Sequence, residues 1–319
     1  MDSTKNAPHY DSPHFIDGWQ AVLTLVTTSR SVLLVDATSA TSIPIHRGDG
    51  LYYGICRHDG DIVVAARRRA INYGYDASED RGCLIAFSSE SSPIYLPVNA
   101  PLLDLHGIAS IAGAIWCTCS YDNCIAIISN GVSKYIYPLG KPNVRPYDNN
   151  HFNTILEVAS GYLLLAHNHG CSQVLLLDRN TLSPVKTWWL GNEAHNIWLD
   201  GDAMRVCSSK EGLLVGDDGL RIYIGGFPRG YASDGNIRLV GVNENAPRKL
   251  RDQTKASISI LDMTYRKIGN IDLGDEGMIL DIMPITEEEG AWLRHILAKV
   301  ASARSRNHLK IPNANETQF

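Results

Sequence analysis

Self-similarity at a fixed period constrains this chain more than its composition does, because a missed repeat misassigns the whole fold. Five segments align: YYGICRHDGDIVVAARR, LHGIASIAGAIWCTCS, FNTILEVASGYLLLAHN, AHNIWLDGDAMRVCSS and RGYASDGNIRLVGVN. Each reads as a short strand, a glycine-bearing turn (Gly60, Gly113, Gly161, Gly201, Gly235) and a second apolar strand. The glycines fall where a tight hairpin needs a residue tolerant of positive φ. A third strand follows in each unit (CLIAFS, CIAIIS, QVLLLD, GLLVGD, SISILD), then a fourth (PIYLPV, KYIYPLG, KTWWLG, RIYIGG, IGNIDLG). Four antiparallel strands in every roughly 35–50 residues make the blade of a β-propeller.

A sixth blade is expected to be split. GMILDIMPI near the C-terminus supplies its inner strand, and WQAVLTLVTT, SVLLVDAT and TSIPIHRG near the N-terminus supply the other three. Joining the two ends of the chain in one sheet closes the ring and leaves no open edge to template aggregation. The expected organisation is all-β: a polar N-terminal tail over residues 1–16, a six-bladed propeller over 17–285, a helix over 286–303 and a polar tail over 304–319. The helix follows from TEEEGAWLRHILAKVASARSR, in which Thr286 and Glu289 have capping-box spacing and Trp292, Leu293, Ile296, Leu297 and Val300 form one apolar stripe.

Other features narrow the function classes. No apolar run approaches the roughly 20 residues that span a bilayer, and MDSTKNAPHYDSPHF has neither a basic nor an apolar leader region, so a cytosolic chain without a membrane partner is expected. A net charge of −5 without a long basic run argues against nucleic acid. Seven cysteines, an odd number set in apolar strand patterns, read as reduced core thiols. No nucleophile elbow, phosphate-binding loop or dinucleotide fingerprint is present.

In a propeller the first strand of each blade lines the central channel, so the residues that open it meet at the channel mouth. Across the six inner strands, one tier holds Tyr53, His106, Asn153, His195, Arg229 and Leu280; two residues earlier the next holds Leu51, Asp104, His151, Glu193, Phe227 and Met278. Blades two to four thus bring a polar arc to face an apolar one that carries a single cation, Arg229. His106, His151 and His195 are expected to bind one divalent transition metal, with iron, manganese, zinc and copper all open to three imidazoles. Asp104 and Glu193 would accept from imidazole N–H groups or join the ligands. They, or Tyr53, would carry protons. Arg229, with Arg67, Arg145, Asn153 and Phe227, would bind a small anionic substrate. His167 and His169, at the end of the second strand of blade three, read as a solvent-facing loop pair, with extension of the metal or substrate site as the alternative. Insertions over residues 69–82 (with Tyr73 and Tyr75) and 243–256 would overhang the mouth. Two other readings fit the same pattern: a non-catalytic propeller that binds a protein or glycan, and a metal-free enzyme with a histidine general base.

At DLHGIA, NNHFNTI, EAHNIW and GFPRGYA the chain resembles an uncharacterised bacterial family of six-bladed propellers with a histidine at the start of successive blades and a turn like Pro228-Arg229-Gly230. The resemblance covers about residues 45–285 and implies the fold rather than a reaction. There is a more distant likeness to gluconolactonase and strictosidine-synthase-like propellers. Their metal sites use carboxylate and asparagine ligands, so the three-histidine pattern departs from them and their activity is not carried over.

Overall fold

The computed structural model describes residues 22–67, 81–99, 101–140, 148–167 and 170–296. Six four-stranded antiparallel sheets are present, five built from consecutive strands and the sixth from Ile279–Ile285 with three N-terminal strands, Leu23–Thr28, Ser31–Asp36 and Thr41–Arg47. The inner strands of blades one to five are Leu51–His58, Leu105–Ile111, Phe152–Val158, Ala194–Asp200 and Phe227–Ser233. Each packs against the inner strand of the next blade, and that of the sixth returns to the first. The chain is therefore a six-bladed β-propeller. Its ring is clasped where Leu23 pairs with Ile285 and Val26 with Ile282.

The hairpin glycines adopt the backbone expected of them, with φ of 86° at Gly60, 73° at Gly113, 148° at Gly161, 62° at Gly201 and 91° at Gly235. Core side chains lie between blades rather than within them. Val63, Ala65 and Leu84 of blade one pack on Ile115, Cys117 and Ala126 of blade two, and equivalent clusters join every other neighbouring pair. A single sheet has two faces to cover, so each blade is stable only when flanked by both neighbours.

One irregularity recurs in every inner strand. The ladder slips by a residue between Tyr52 and Ile55, Leu105 and Ile108, Phe152 and Thr154, His195 and Ile197, and Pro228 and Tyr231, and in blade six opposite the step from Thr27 to Thr28. Such bulges re-aim side chains, and here they act on the tier that the repeats align. They also bring the strands close together: a Cβ at Gly107 would stand 2.4 Å from the Asn153 carbonyl oxygen, and one at Gly54 would stand 2.6 Å from the Ile108 nitrogen.

Residues 287–296 are helical, and the expected cap forms. The Thr286 backbone N–H donates to Glu289 Oε2 (2.7 Å) and the Glu289 N–H to Thr286 Oγ1 (3.1 Å). Leu293 is buried against blades six and one, and Arg57 grips Glu289 through two nitrogens. No helix among the described residues is long and apolar enough to cross a membrane.

Candidate functional site

Where the inner strands begin, a belt of rings runs around the channel. Tyr53 stands 4.7 Å from His106 between ring centres, His106 4.5 Å from His151, His151 4.1 Å from His167, His167 5.6 Å from His195, and His195 5.6 Å from Phe227. All six side chains are buried. The belt is flanked by cations: Arg67 and Arg229 lie 5.4 and 5.2 Å from the Tyr53 ring centre, and Arg251 lies 4.8 Å from that of Phe227. Arg251 belongs to the blade-five insertion, which holds a short 3-10 helix, Arg248–Gln253, and so reaches the belt.

The backbone that presents these groups is unusual in blades two to four. Asp104, His151 and Glu193 have φ of 53°, 43° and 44° although none is glycine, a conformation that costs energy and persists only when its surroundings enforce it. In the other blades a glycine just ahead of the strand (Gly50, Gly226, Gly277) takes positive φ instead.

Hydrogen bonds set the imidazole tautomers. His106 Nδ1 lies 2.8 Å from the Asp104 carbonyl oxygen, which can only accept, so Nδ1 carries the proton. His195 Nδ1 lies 2.7 Å from Ser209 Oγ, and because Ser209 donates its own proton to the Pro228 carbonyl (2.6 Å), it accepts from His195. Both rings therefore offer Nε2 as a lone-pair donor. His151 Nδ1 is held by the Asp148 carboxylate at 2.5 Å. Burial, and after it neighbouring imidazole and guanidinium charge, holds His106 and His195 well below the ordinary imidazole pKa, so both are neutral at pH 7. Neutral, oriented imidazoles are the form that ligates metal ions.

The three histidines singled out in the sequence fall in one continuous row, with a fourth among them. His167, expected on a solvent-facing loop, is instead buried at the end of Gly161–His167. Two donor groups result, each with ligand atoms within 4.8 Å of one another: His151, His167 and His195, and Asp104, His106 and His151. Among the described residues no such group contains both His106 and His195.

The remaining site residues are placed as follows. Asp104 is fully buried and ion-pairs with Arg67, which also donates to the Tyr53 hydroxyl (3.2 Å). The carboxylate of Asp104 thus serves the arginine, and its backbone carbonyl serves His106. Glu193 is half-buried, with its carboxylate 3.4 Å from Lys210 Nζ and in neither donor group. Asn153 and Arg229 are buried, and neither Asn153 Nδ2 nor Arg229 Nε has a hydrogen-bond acceptor among the described residues. Burial pushes the Arg229 guanidinium down to about 10, which leaves it charged at pH 7. Arg145, His169, Tyr73 and Tyr75 lie outside the described residues.

Deeper in the channel, the sequence reading missed a second polar cluster. Asp281 of blade six accepts from Asn196 Nδ2 of blade four (2.9 Å) and from the backbone N–H groups of Ile55 (3.1 Å) and Ile282 (3.0 Å), and Asn196 Oδ1 accepts from Gly230 N–H of blade five (2.7 Å). Both residues occupy the position that is glycine in blades one, two and five. That exception to the repeat was the available signal.

Comparison with solved structures supports the architecture. The chain is similar to a protein of unknown function from Bacteroides caccae (12% identity, 84% of this chain and all of that one, TM-score 0.56) and to a chain of a nidogen/laminin complex (10% identity, 84% and 99%, TM-score 0.59). It also aligns with apo AztD from Citrobacter koseri (12% identity, 83% and 98%, TM-score 0.47). No family model and no curated protein matches the chain. Fold and site together define a six-bladed propeller with an imidazole belt where its inner strands begin.

Proposed function

We propose that the protein is a metal-dependent enzyme of the cytosol that acts on a small anionic metabolite at this belt. The observation that carries the reading is the convergence of buried imidazoles from blades two, three and four, two of them with tautomers that present Nε2. A divalent iron, manganese, zinc or copper ion held there would supply Lewis acidity or, for a redox metal, dioxygen chemistry. Lyase, isomerase, hydrolase and oxygenase steps are all compatible with that.

The chain's own groups divide the remaining work. Arg229 orients the negative group of the substrate, Asn153 donates to it, and Phe227 walls the opposite side. Tyr53 accepts from Arg67 and so keeps its own O–H proton to give, which makes it the best placed of the proton carriers. Asp104 and Glu193, committed to Arg67 and Lys210, act through the charges they hold.

The test is elemental analysis of untagged protein after reconstitution with each metal. About one ion per chain is expected, lost in His151→Ala because His151 belongs to both donor groups. Well-folded wild type that takes up no metal would overturn the proposal.

A further inference from the structure

Among the described residues four arginines are buried: Arg67, Arg205, Arg229 and Arg238. Three have a carboxylate as counter-ion, Asp104 for Arg67, Asp218 for Arg205 (2.8 Å) and Asp200 for Arg238 (2.8 Å). Arg229 has none among the described residues, and its Nε has no hydrogen-bond acceptor there. The Tyr53 ring, 5.2 Å from its Cζ, offers a π face but no negative charge. Asp281 acts on Arg229 through space, yet its carboxylate is bonded to Asn196 and to the Ile55 and Ile282 N–H groups. A buried cation without a counter-ion is unfavourable, so a fold that keeps one in place leaves room for an anion from outside.

Arg229 is also held still. The ladder slips between Pro228 and Tyr231, and blade four fixes the bulge on both sides of the arginine. The Pro228 carbonyl accepts from Ser209 Oγ (2.6 Å), and the Gly230 N–H donates to Asn196 Oδ1 (2.7 Å). Ser209 in turn accepts from His195 (2.7 Å), and Asn196 Nδ2 donates to Asp281 (2.9 Å). One clamp therefore sets the guanidinium relative to the imidazole belt, and a donor fixed in advance loses little entropy on binding.

Charge and shape set the class of ligand. One unpaired guanidinium neutralises one negative charge, and its planar fork matches the two oxygens of a carboxylate. A phosphate monoester carries about −1.5 to −2 at pH 7. Its second charge would be left among Tyr53, Phe227, Met278 and Leu280, which pack in one apolar cluster. Arg251, above Phe227, is only half-buried, and solvent screens its charge.

We infer that Arg229, clamped by Ser209 and Asn196, is the seat of a singly charged carboxylate, and that this seat fills without a metal ion. This rests on the reading above, in which Arg229 meets the substrate, and names the substrate class; a test on metal-free protein keeps the two distinguishable.

Chelator-treated protein is titrated with acetate in exchange for chloride at constant ionic strength. The urea midpoint reports affinity, because a ligand of the native state stabilises it by RT ln(1 + [L]/Kd). Saturable stabilisation of wild type by acetate is expected, with weaker binding of inorganic phosphate. Arg229→Gln should bind acetate at least about tenfold more weakly. Without acetate, Arg229→Gln should be no less stable than wild type, since it removes an unpaired charge, whereas Arg238→Gln, which strands Asp200, should have a lower midpoint. Arg229→Lys keeps the test decisive should the glutamine variant misfold: it retains the charge but not the fork, and weaker acetate binding is expected. Asn196→Gly leaves the charge and removes the clamp, and it too should lose acetate affinity. Acetate that stabilises wild type no more than chloride does, or that binds Arg229→Gln or Arg229→Lys as well as wild type, would overturn the seat. Phosphate bound more tightly than acetate would overturn the carboxylate class, and undiminished affinity in Asn196→Gly would overturn the clamp. Acetate binding by a protein that takes up no metal would sustain the seat while removing the metal-dependent reading.

Discussion

Gly107 offers the most direct test of how the inner strands set the site. Its φ lies outside the left-handed region, so alanine would suffer no backbone penalty there, only a steric one. An added Cβ would lie 2.4 Å from Asn153 O and 3.1 Å from Thr154 Cα, both backbone atoms of the next blade. Ordinary contact begins near 3.4 Å, so the strands of blades two and three must part by about 1 Å, and overpacking on that scale costs roughly 1–3 kcal/mol. The same movement stretches the bond from Thr118 Oγ1 to Asn153 O (2.9 Å), adding about 1 kcal/mol. Gly107→Ala should therefore destabilise the protein by about 2–4 kcal/mol, read as a lower urea midpoint at unchanged m. Gly113→Ala is the control. Its Cβ meets nothing within 4 Å and it carries only the penalty of its φ of 73°, about 1 kcal/mol. A Gly107→Ala no less stable than Gly113→Ala would refute the argument that blade spacing is set by contact at this glycine.

Burial raises the Asp281 carboxyl to about 7, against the pull of its N–H donors and Arg229. Its pKa is thus higher in the folded than in the unfolded state, so its contribution to stability is present at low pH and lost as pH rises from about 4 through 7. The stability of wild type relative to Asp281→Asn should fall by roughly 2 kcal/mol between pH 5 and pH 8, and a difference that stays constant across that range would contradict it. Trp198 is buried and stacks on Tyr231 with ring centres 3.7 Å apart, so Trp198→Ala should cost about 3–5 kcal/mol. Trp189 is 71% exposed, and Trp189→Ala should stay within about 0.5 kcal/mol of wild type; denaturant melts of the two variants decide. Of the seven cysteines, Cys171 is exposed, Cys83 intermediate and the other five buried. A thiol reagent should label Cys171 quickly, Cys83 slowly and the others only on unfolding, and rapid labelling of Cys117 or Cys207 in the native protein would count against the inter-blade packing.

The blades were legible in the sequence because each is a run of local hairpins whose turns demand glycine, and the helix start was legible because a capping box lies within four residues. The ring closure was legible because the sixth inner strand, GMILDIMPI, has no outer strands after it while three strands without an inner partner stand near the N-terminus. The site was legible only in part. Counting outward from the Gly161 turn pairs Ile155 with Leu164 and Thr154 with Leu165, and the same register would place residue 168 opposite His151. The bulge at Asn153 shifts the ladder so that Phe152 faces Ala166, and this brings His167 rather than its neighbour beside His151. A one-residue slip exchanges the two faces of a strand, so periodicity alone could not find the fourth imidazole. The link between Arg67 and Asp104 joins different blades, and no spacing in the chain records it. Ser209 and Asp148 were invisible for a simpler reason: a hydroxyl or carboxylate near a histidine is common, and only its hydrogen-bond geometry distinguishes it.

The clasp between Leu23–Thr28 and Ile279–Ile285 has a consequence for biogenesis. On the ribosome the amino-terminal partner emerges about 250 residues before the strand that completes its sheet, a delay of roughly 12–50 s at about 5–20 residues per second. Until blade five is made, Val26, Leu33 and Val35, fully buried in the finished protein, lack the apolar face they pack against, and the half-made blade stays exposed to aggregation. A stop codon anywhere before residue 279 would leave that blade permanently open and hand the product to degradation.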